Sequence, residues 1–385
     1  MSASLRLPTE DGWTEVVLRE PRAWPRHPRP HRSRVAFAAA HVVADPLADN
    51  SPGAPAVLDW DATLEFRRML FGYGFGVAEA MDTAQRGMGL DWAAVRELVR
   101  RSAEVARDHG ARIASGAGTD HRAEVSSTAE VLAAYEEQVG FVESTGSQVI
   151  VMASRHLARI ARGPEDYREV YGAVLRQVAE PVVLHWLGEA FDPLLAGYWG
   201  AADLPAATEV FLDLVREHAA KVDGVKVSLL SAEHERALRA ALPAGVRLYT
   251  GDDFHYPELI RGDGEHHSDA LLGAFSAVAP AASAALTALD EGDLATYDAE
   301  MGATLALSRH VFGAPTFHYK TGIAFTAWLS GHQPGFSMVG GMQSARGVPH
   351  LARIFALANE ARLLPDPELA AHRMRLLLET SGAAS

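Results

Sequence analysis

The chain carries 35 basic residues, and only three of them, Lys221, Lys226 and Lys320, are lysines. Arginine keeps its proton in proteins, whereas an amine taken out of water can lose its proton and attack a carbonyl carbon. A lysine retained in a chain that otherwise uses arginine is a candidate nucleophile, although a compositional bias toward arginine explains the count equally well. Lys226 stands in Asp223-Gly-Val-Lys-Val-Ser228, a short apolar run ending in polar residues. Such a run reads as a strand that ends at a turn, where a Schiff-base lysine stands in a β/α barrel. Lys221 falls where a helix meets a loop and reads as solvated.

The 17 histidines offer a second chemistry. His41, His185, His255, His266 and His267 all fall near the ends of strand-like runs or in the loops after them. Together with Glu79, Asp82, Asp252 and Asp253 they supply nitrogen and oxygen donors for a divalent metal, as in metal-dependent sugar isomerases and epimerases built on β/α barrels. No His-Glu-x-x-His spacing accompanies them. Gly116-Ala-Gly118 lacks the third glycine of a dinucleotide-binding turn. With no cysteine in the chain, thiolate chemistry and disulfides are excluded.

Placing these residues requires elements, and the chain alternates short apolar runs with helical periods from residue 34 to 280. Strands are expected at Val35–Val43, Gly76–Met81, Arg112–Ser115, Gln148–Met152, Val182–His185, Gly224–Val227, Arg247–Thr250 and Gly273–Val278. Helices are expected between them, one opened by the capping box Ser127-Thr-Ala-Glu130. Eight βα units at this spacing predict an α/β fold, a (β/α)8 TIM barrel over residues 34–280, with an open doubly wound sheet as the competitor. Residues 1–33 read as an N-terminal arm, Pro/Arg-rich over Pro21–Pro30. Residues 281–385 read as a C-terminal helical region packed on the barrel, with Ser381–Ser385 frayed.

Four segments, in order, resemble the dihydrodipicolinate synthase and N-acetylneuraminate lyase superfamily of class I aldolases. Ile113-Ala-Ser-Gly-Ala-Gly-Thr-Asp120 is similar to that family's strand-three turn and Asp223–Ser228 to its Schiff-base strand. Tyr249-Thr-Gly-Asp-Asp253 is similar to its strand-seven turn and Gly273–Pro280 to the end of its strand eight. Pro315–Arg346, which contains Lys320, is similar to its C-terminal segment. The resemblance implies that Lys226 forms an imine with an oxo substrate, and a protonated imine is an electron sink that lets a neighbouring bond break or form. It also implies dimers or tetramers.

The departures from that pattern bear on the substrate. The family's strand-five tyrosine, a proton relay, falls at His185, and imidazole is a competent acid–base group. The family's carboxylate-holding arginine falls at Ala190. Its Thr-Thr-Gly-Glu turn reads Asp82-Thr83-Ala84-Gln85, where Thr83 is kept but Asp82 would repel a carboxylate. The usual synthase reaction is therefore not expected, and a polyhydroxylated or keto-sugar-like substrate suits these side chains better. The expected site is Lys226 as nucleophile and His185 as relay. Asp82, Thr83, Gln85, Gly116, Thr119, Asp252, Asp253, His255 and Ser276 line the substrate, with no cofactor and no metal. The alternatives are the metal-dependent isomerase or epimerase and a barrel that binds a metabolite without turning it over.

A formal charge of −14 and a pI near 5.6 argue against nucleic acid or an anionic membrane as partner. No apolar stretch has the length of a signal peptide or a membrane span, so a cytoplasmic protein is expected.

Overall fold

The computed structural model describes residues 4–201 and 203–383. Met1–Ala3 of the expected arm and Ala384 and Ser385 of the tail expected to fray lie outside the described residues. The chain opens with an antiparallel hairpin, β1 (Ser4–Thr9) and β2 (Gly12–Val17). Eight parallel strands come next: β3 (Ala36–Ala39), β4 (Gly76–Glu79), β5 (Ile113–Ala117), β6 (Gln148–Val151), β7 (Val182–Leu187), β8 (Val222–Ser228), β9 (Arg247–Thr250) and β10 (Asp269–Leu272). They pair in chain order, and β10 closes on β3.

This is the (β/α)8 TIM barrel that the alternation predicts. A closed parallel sheet buries both faces of every strand, one on the lumen and one on the surrounding helices, so its strands are apolar without alternation. Strand β7, Val-Val-Leu-His-Trp-Leu, is buried at all six positions. The lumen is filled rather than hollow: Phe37, Ala78, Ala114, Ile150, Val183, Tyr249 and Leu271 form one contiguous cluster inside it.

The interstrand helices are α1 (Trp60–Phe71), α2 (Trp92–Asp108), α3 (Thr128–Ser144), α4 (Arg155–Ile160), α5 (Pro164–Gln177), α6 (Leu204–Glu217), α7 (Ala232–Ala241) and α8 (Tyr256–Arg261). Side-chain caps start many of them: Asp59, Asp91, Asp203 and Ser231 each accept from the backbone N–H three residues on. At α3, Ser127 caps Glu130 N as expected, but the Glu130 carboxylate returns to Ser126 N rather than Ser127 N.

The eighth strand departs from expectation. The run Gly273–Val278 is not a strand; it forms the first turns of α9 (Ala274–Asp290), a helix that crosses the expected boundary at 280 with a kink at Val278 ahead of Pro280. A short alanine-rich apolar run has no period to separate the two states, and alanine favours helix. The strand lies earlier, and its first residue is buried Asp269. The Asp269 carboxylate accepts from Val35 N at 2.7 Å and from Arg247 at 3.1 Å, tying three neighbouring strands at the barrel's N-terminal end.

The remaining helices are α10 (Leu294–Val311), α11 (Tyr319–Leu329), α12 (Val348–Glu360) and α13 (Pro367–Thr380). The hairpin, unforeseen in the arm, buries Leu5 and Leu7 in the main core. Helix α11 is buried on every side. Its N-terminus reaches the turn Asp82–Ala84 after β4, so the helical region covers part of the barrel's C-terminal mouth. Among the described residues no helix is long and apolar enough to cross a membrane.

Candidate functional site

Lys226 sits near the C-terminal end of β8, in register with His185 on β7 and Tyr249 on β9. It is only 7% exposed. The space for its side chain comes from Gly251, just after β9: a Cβ there would stand 3.0 Å from Lys226 Cε and 2.1 Å from Ser228 Oγ. Burial disfavours the ammonium and lowers the Lys226 pKa, while Asp82 and Asp253 pull the other way. Asp253 is itself buried, which raises its pKa, against the backbone N–H of Ala274 that its carboxylate accepts at 2.8 Å. Burial thus opposes charge on both groups.

His185 stands beside Lys226 on the neighbouring strand, and its surroundings oppose the imidazolium. Burial, and then the charge of Lys226, drive its pKa well down. Its Nε2 lies 3.3 Å from Ser228 Oγ, and its buried Nδ1 has no hydrogen-bond partner.

Asp82 and Thr83 form a single 3-10 turn after β4, closed by Gln85 in the left-handed region at φ 64°. Asp82 is half-buried and faces a cavity of about 220 Å³ whose walls also include His185, Thr119, Arg86 and Asp192. Thr119 Oγ1 lies 2.7 Å from Ser154 Oγ and 3.0 Å from His156 Nδ1, a small hydroxyl cluster on that wall. The arginines beside the cavity are already paired. Arg86 meets Asp120 through two bonds of 2.9 and 2.7 Å and Gly116 O at 2.6 Å. Arg155 meets Asp192 at 2.5 Å. Burial opposes the Asp120 carboxylate, but Arg86 holds its pKa below the ordinary carboxylate range.

Several expected substrate-lining residues are engaged elsewhere. The Gly116 carbonyl is taken by Arg86, and a Cβ at Gly116 would lie 2.5 Å from Met152 Sδ, so this glycine serves close packing inside the barrel. The Ser276 hydroxyl donates to Ala39 O at 2.7 Å and joins α9 to β3. The Gln85 amide donates to Val339 O at 2.7 Å and ties the turn to the helical region. Asp252 accepts from the backbone of Phe254 and His255 and from the His255 ring at 2.9 Å, which shapes the turn after β9. Gly116, Ser276, Gln85 and Asp252 thus each have a hydrogen-bond partner within the protein.

The histidines and acids of the metal alternative do not converge. Glu79 is held by Arg67 through two bonds of 2.8 Å with both side chains fully buried, and His41 is bonded to Gln333 at 2.7 Å. Among the described residues the one group of metal-ligand type is His27, His31 and Asp290, at the opposite end of the barrel. There the two imidazoles stack at 4.6 Å and 11°, so their in-plane lone pairs do not point at a common centre. A larger cavity, about 730 Å³, lies between the hairpin and α10 and α12. It lies away from Lys226.

Two residues outside the expected site lie close to it. Tyr319 and Lys320 open α11 and reach the same acidic neighbourhood. The Tyr319 hydroxyl lies 2.7 Å from Thr83 Oγ1. Burial, then Asp82, raise its pKa far above that of a free phenol. Lys320 is buried, and its pKa is lowered by burial to about 8, with Asp82 opposing. The scarcity of lysine and the family-like segment Pro315–Arg346 both pointed to Lys320, and nothing in the sequence singled out Tyr319.

The fold is that of the dihydrodipicolinate synthase structures. The protein YagE of E. coli K12, of the dihydrodipicolinic acid synthase family and solved with pyruvate, superposes with a TM-score of 0.63 at 16% identity, over 86% of this chain and 99% of its own. The dihydrodipicolinate synthase of Bacteroides thetaiotaomicron gives 0.64 at 12% identity, over 86% and 99%. That of Aquifex aeolicus gives 0.59 at 11% identity, over 91% and 98%. No curated protein matches the chain in sequence. Residues 5–383 match the model of the family described as protein of unknown function (DUF993), and the chain belongs to that family.

Proposed function

We propose that the chain is a class I, Schiff-base lyase or aldolase in which Lys226 forms an imine with a small oxo substrate. The observation that carries this is the environment of Lys226. It is a lysine buried on a barrel strand, where loss of water opposes the ammonium, within electrostatic reach of a buried carboxyl, Asp253. A free amine is what attack on a carbonyl requires, and an ordinary lysine near pKa 10.4 does not supply it at neutral pH.

The chemistry derives from these groups. The Lys226 amine adds to the carbonyl carbon. The carbinolamine oxygen takes protons and leaves as water, and Asp253, having given up its proton, is left as carboxylate beside the new iminium. The iminium accepts the electron pair of the adjacent bond as that bond breaks. His185, whose burial opposes the imidazolium, hydrogen-bonds Ser228 rather than acting as the acid.

The cavity wall favours hydroxyl groups on the substrate. Asp82 and the Thr119–Ser154–His156 cluster are hydrogen-bonding partners for a polyol, and Arg86 and Arg155 are already neutralised by Asp120 and Asp192. Borohydride reduction in the presence of pooled oxo acids, pyruvate included, and keto sugars, followed by intact-mass and peptide analysis, tests the reading. A substrate-sized increment on Lys226 supports it. No increment across the panel, with Lys226→Arg retaining whatever activity is found, refutes it.

A further inference from the structure

The hairpin at the start of the chain has a strand edge that the rest of the molecule leaves partly unpaired. Its turn is Glu10-Asp11, and β1 and β2 pair from Thr9↔Gly12 to Ser4↔Val17 with no shift of register. Pairs in an antiparallel ladder alternate between hydrogen-bonded and open ones. Pro8, opposite Trp13, has no N–H to give, so the pairs of Pro8, Arg6 and Ser4 are the open ones. Trp13, Glu15 and Val17 therefore turn their N–H and C=O groups away from β1. The far end of β2 agrees: the side-chain amide of Asn359 on α12 donates to Val17 O at 3.0 Å and accepts from Arg19 N at 2.9 Å. Asn359 closes the edge there. The backbone groups of Trp13 and Glu15 have no such partner among the described residues. The cavity of about 730 Å³ lies between this stretch and Ala352 and Ala356 of α12.

A free edge is a template for another strand, and proteins blunt such edges with proline, lysine or a bulge. Strand β2, Gly-Trp-Thr-Glu-Val-Val, has none of these. Its one charged residue, Glu15, accepts from Ser4 Oγ at 2.6 Å and stands across from Arg6. The outer face of the hairpin shows apolar side chains to water: Trp13 is 41% and Val17 54% exposed. The Arg6 guanidinium lies 5.5 Å from the centre of the Trp13 ring. At the two ends of β2, Glu10, Asp11 and Arg19 are exposed and form no ion pair among the described residues.

We propose that this edge binds a second copy of the chain, β2 pairing antiparallel with β2 across a twofold axis at Thr14 to make one four-stranded sheet. In that register the edge is its own complement. Trp13 of one copy and Glu15 of the other exchange both backbone hydrogen bonds, which satisfies the free groups of both residues and leaves Val17 O to Asn359. Thr14 meets Thr14 on the axis, and no charge faces a like charge. On the outer face Trp13, with Arg6 over its ring, lies opposite Glu15 of the second copy. Val17 lies diagonal to Trp13 of the second copy, so each covers the other. Asp11 in one turn comes diagonal to Arg19 of the other copy, within reach of a long side chain. A foreign peptide would find the same backbone groups, but this pattern of charge and apolar surface matches the chain's own. The hairpin lies outside the segments that resemble the aldolase superfamily, so the interface is not one that the resemblance implies.

The chain has no cysteine, so Thr14→Cys can cross-link only with itself. Residues opposed in an open pair have Cα atoms about 4.5 Å apart, a span that a disulfide bridges. Mild oxidation of the full chain should give a dimer on denaturing gels that dithiothreitol reverses. Arg6→Cys, at least three strand spacings or about 14 Å from its counterpart, should give none. Glu15→Pro removes an outward N–H that β1 does not use and puts a ring in the way of the second copy. At micromolar concentration it should sediment at half the wild-type mass, with its circular dichroism unchanged. A wild type that sediments at 41.3 kDa overturns the proposal. So does an oligomer whose mass Glu15→Pro leaves unchanged, a Thr14→Cys protein that does not cross-link, or equal cross-linking of the two cysteine variants. Should Glu15→Pro fail to fold, Thr14→Cys against the Arg6→Cys control decides alone.

Discussion

Replacing Gly251 by alanine adds one methyl group where the barrel has no room for it. The new Cβ would lie 2.1 Å from Ser228 Oγ, 2.8 Å from Val227 O and 3.0 Å from Lys226 Cε. The serine hydroxyl can rotate away, at the expense of its contact with His185. The carbonyl cannot, because Gly251 N donates to that same Val227 O at 2.8 Å, so the backbones of β8 and the β9 turn would have to part. Lys226 must then shift by some tenths of an ångström from the position that its burial and Asp253 define. Overpacking of this kind costs about 1–3 kcal/mol of stability, and a displacement of about 1 Å at a reacting group costs about a hundredfold in rate. Urea unfolding measures the first, and the rate of reductive trapping on Lys226 with pyruvate the second. A Gly251→Ala protein that is as stable as wild type and traps probe at the same rate would show that the space around Lys226 is not used by the chemistry, and the argument from burial would fail.

Lys226→Met should take no label and, because it removes a buried amine, should unfold at the same or higher urea concentration; a lower midpoint would mean that the amine is a structural donor. Asp253→Asn removes a carboxyl that raises the Lys226 pKa when it ionises, so the acid limb of the trapping-rate profile should move to lower pH, and a move to higher pH contradicts the assignment. Glu235, buried under hydroxyls from Ser268 and Thr250, has its pKa raised by burial from 4.5 to about 8. The folded state therefore holds a proton that the unfolded state releases. The stability due to this proton is complete below about pH 4.5 and lost as pH rises through 8, at up to about 1.4 kcal/mol per pH unit. Glu235→Gln should flatten that slope in denaturant titrations, and an unchanged slope counts against it. Glu79→Gln leaves the fully buried Arg67 guanidinium without its partner and should cost about 3–5 kcal/mol in unfolding free energy.

The strands and Lys226 were legible because their signals are local. A buried parallel strand must be a short apolar run, and Val182–Leu187 and Val222–Ser228 are such runs. The strand at Asp269–Leu272 escapes that signal because its first residue is a carboxylate, and only the closed barrel brings Val35 N and Arg247 to satisfy it. The polar residues after the strands were harder to assign. Ser276, Gln85 and Gly116 stand at the right places in the chain, yet their hydrogen-bonding groups are taken by backbone or arginine, a fact that exists only in three dimensions.

The sequence by itself determined the barrel, the helical character of the C-terminal region, and a lysine set on an apolar strand, because periodicity and residue type act over a few neighbouring residues. Tertiary structure alone decided which groups surround that lysine. Burial denies Lys226, Asp253 and His185 water and opposes charge on each, and Tyr319 meets Thr83 across 236 positions of chain only because α11 folds back over the mouth.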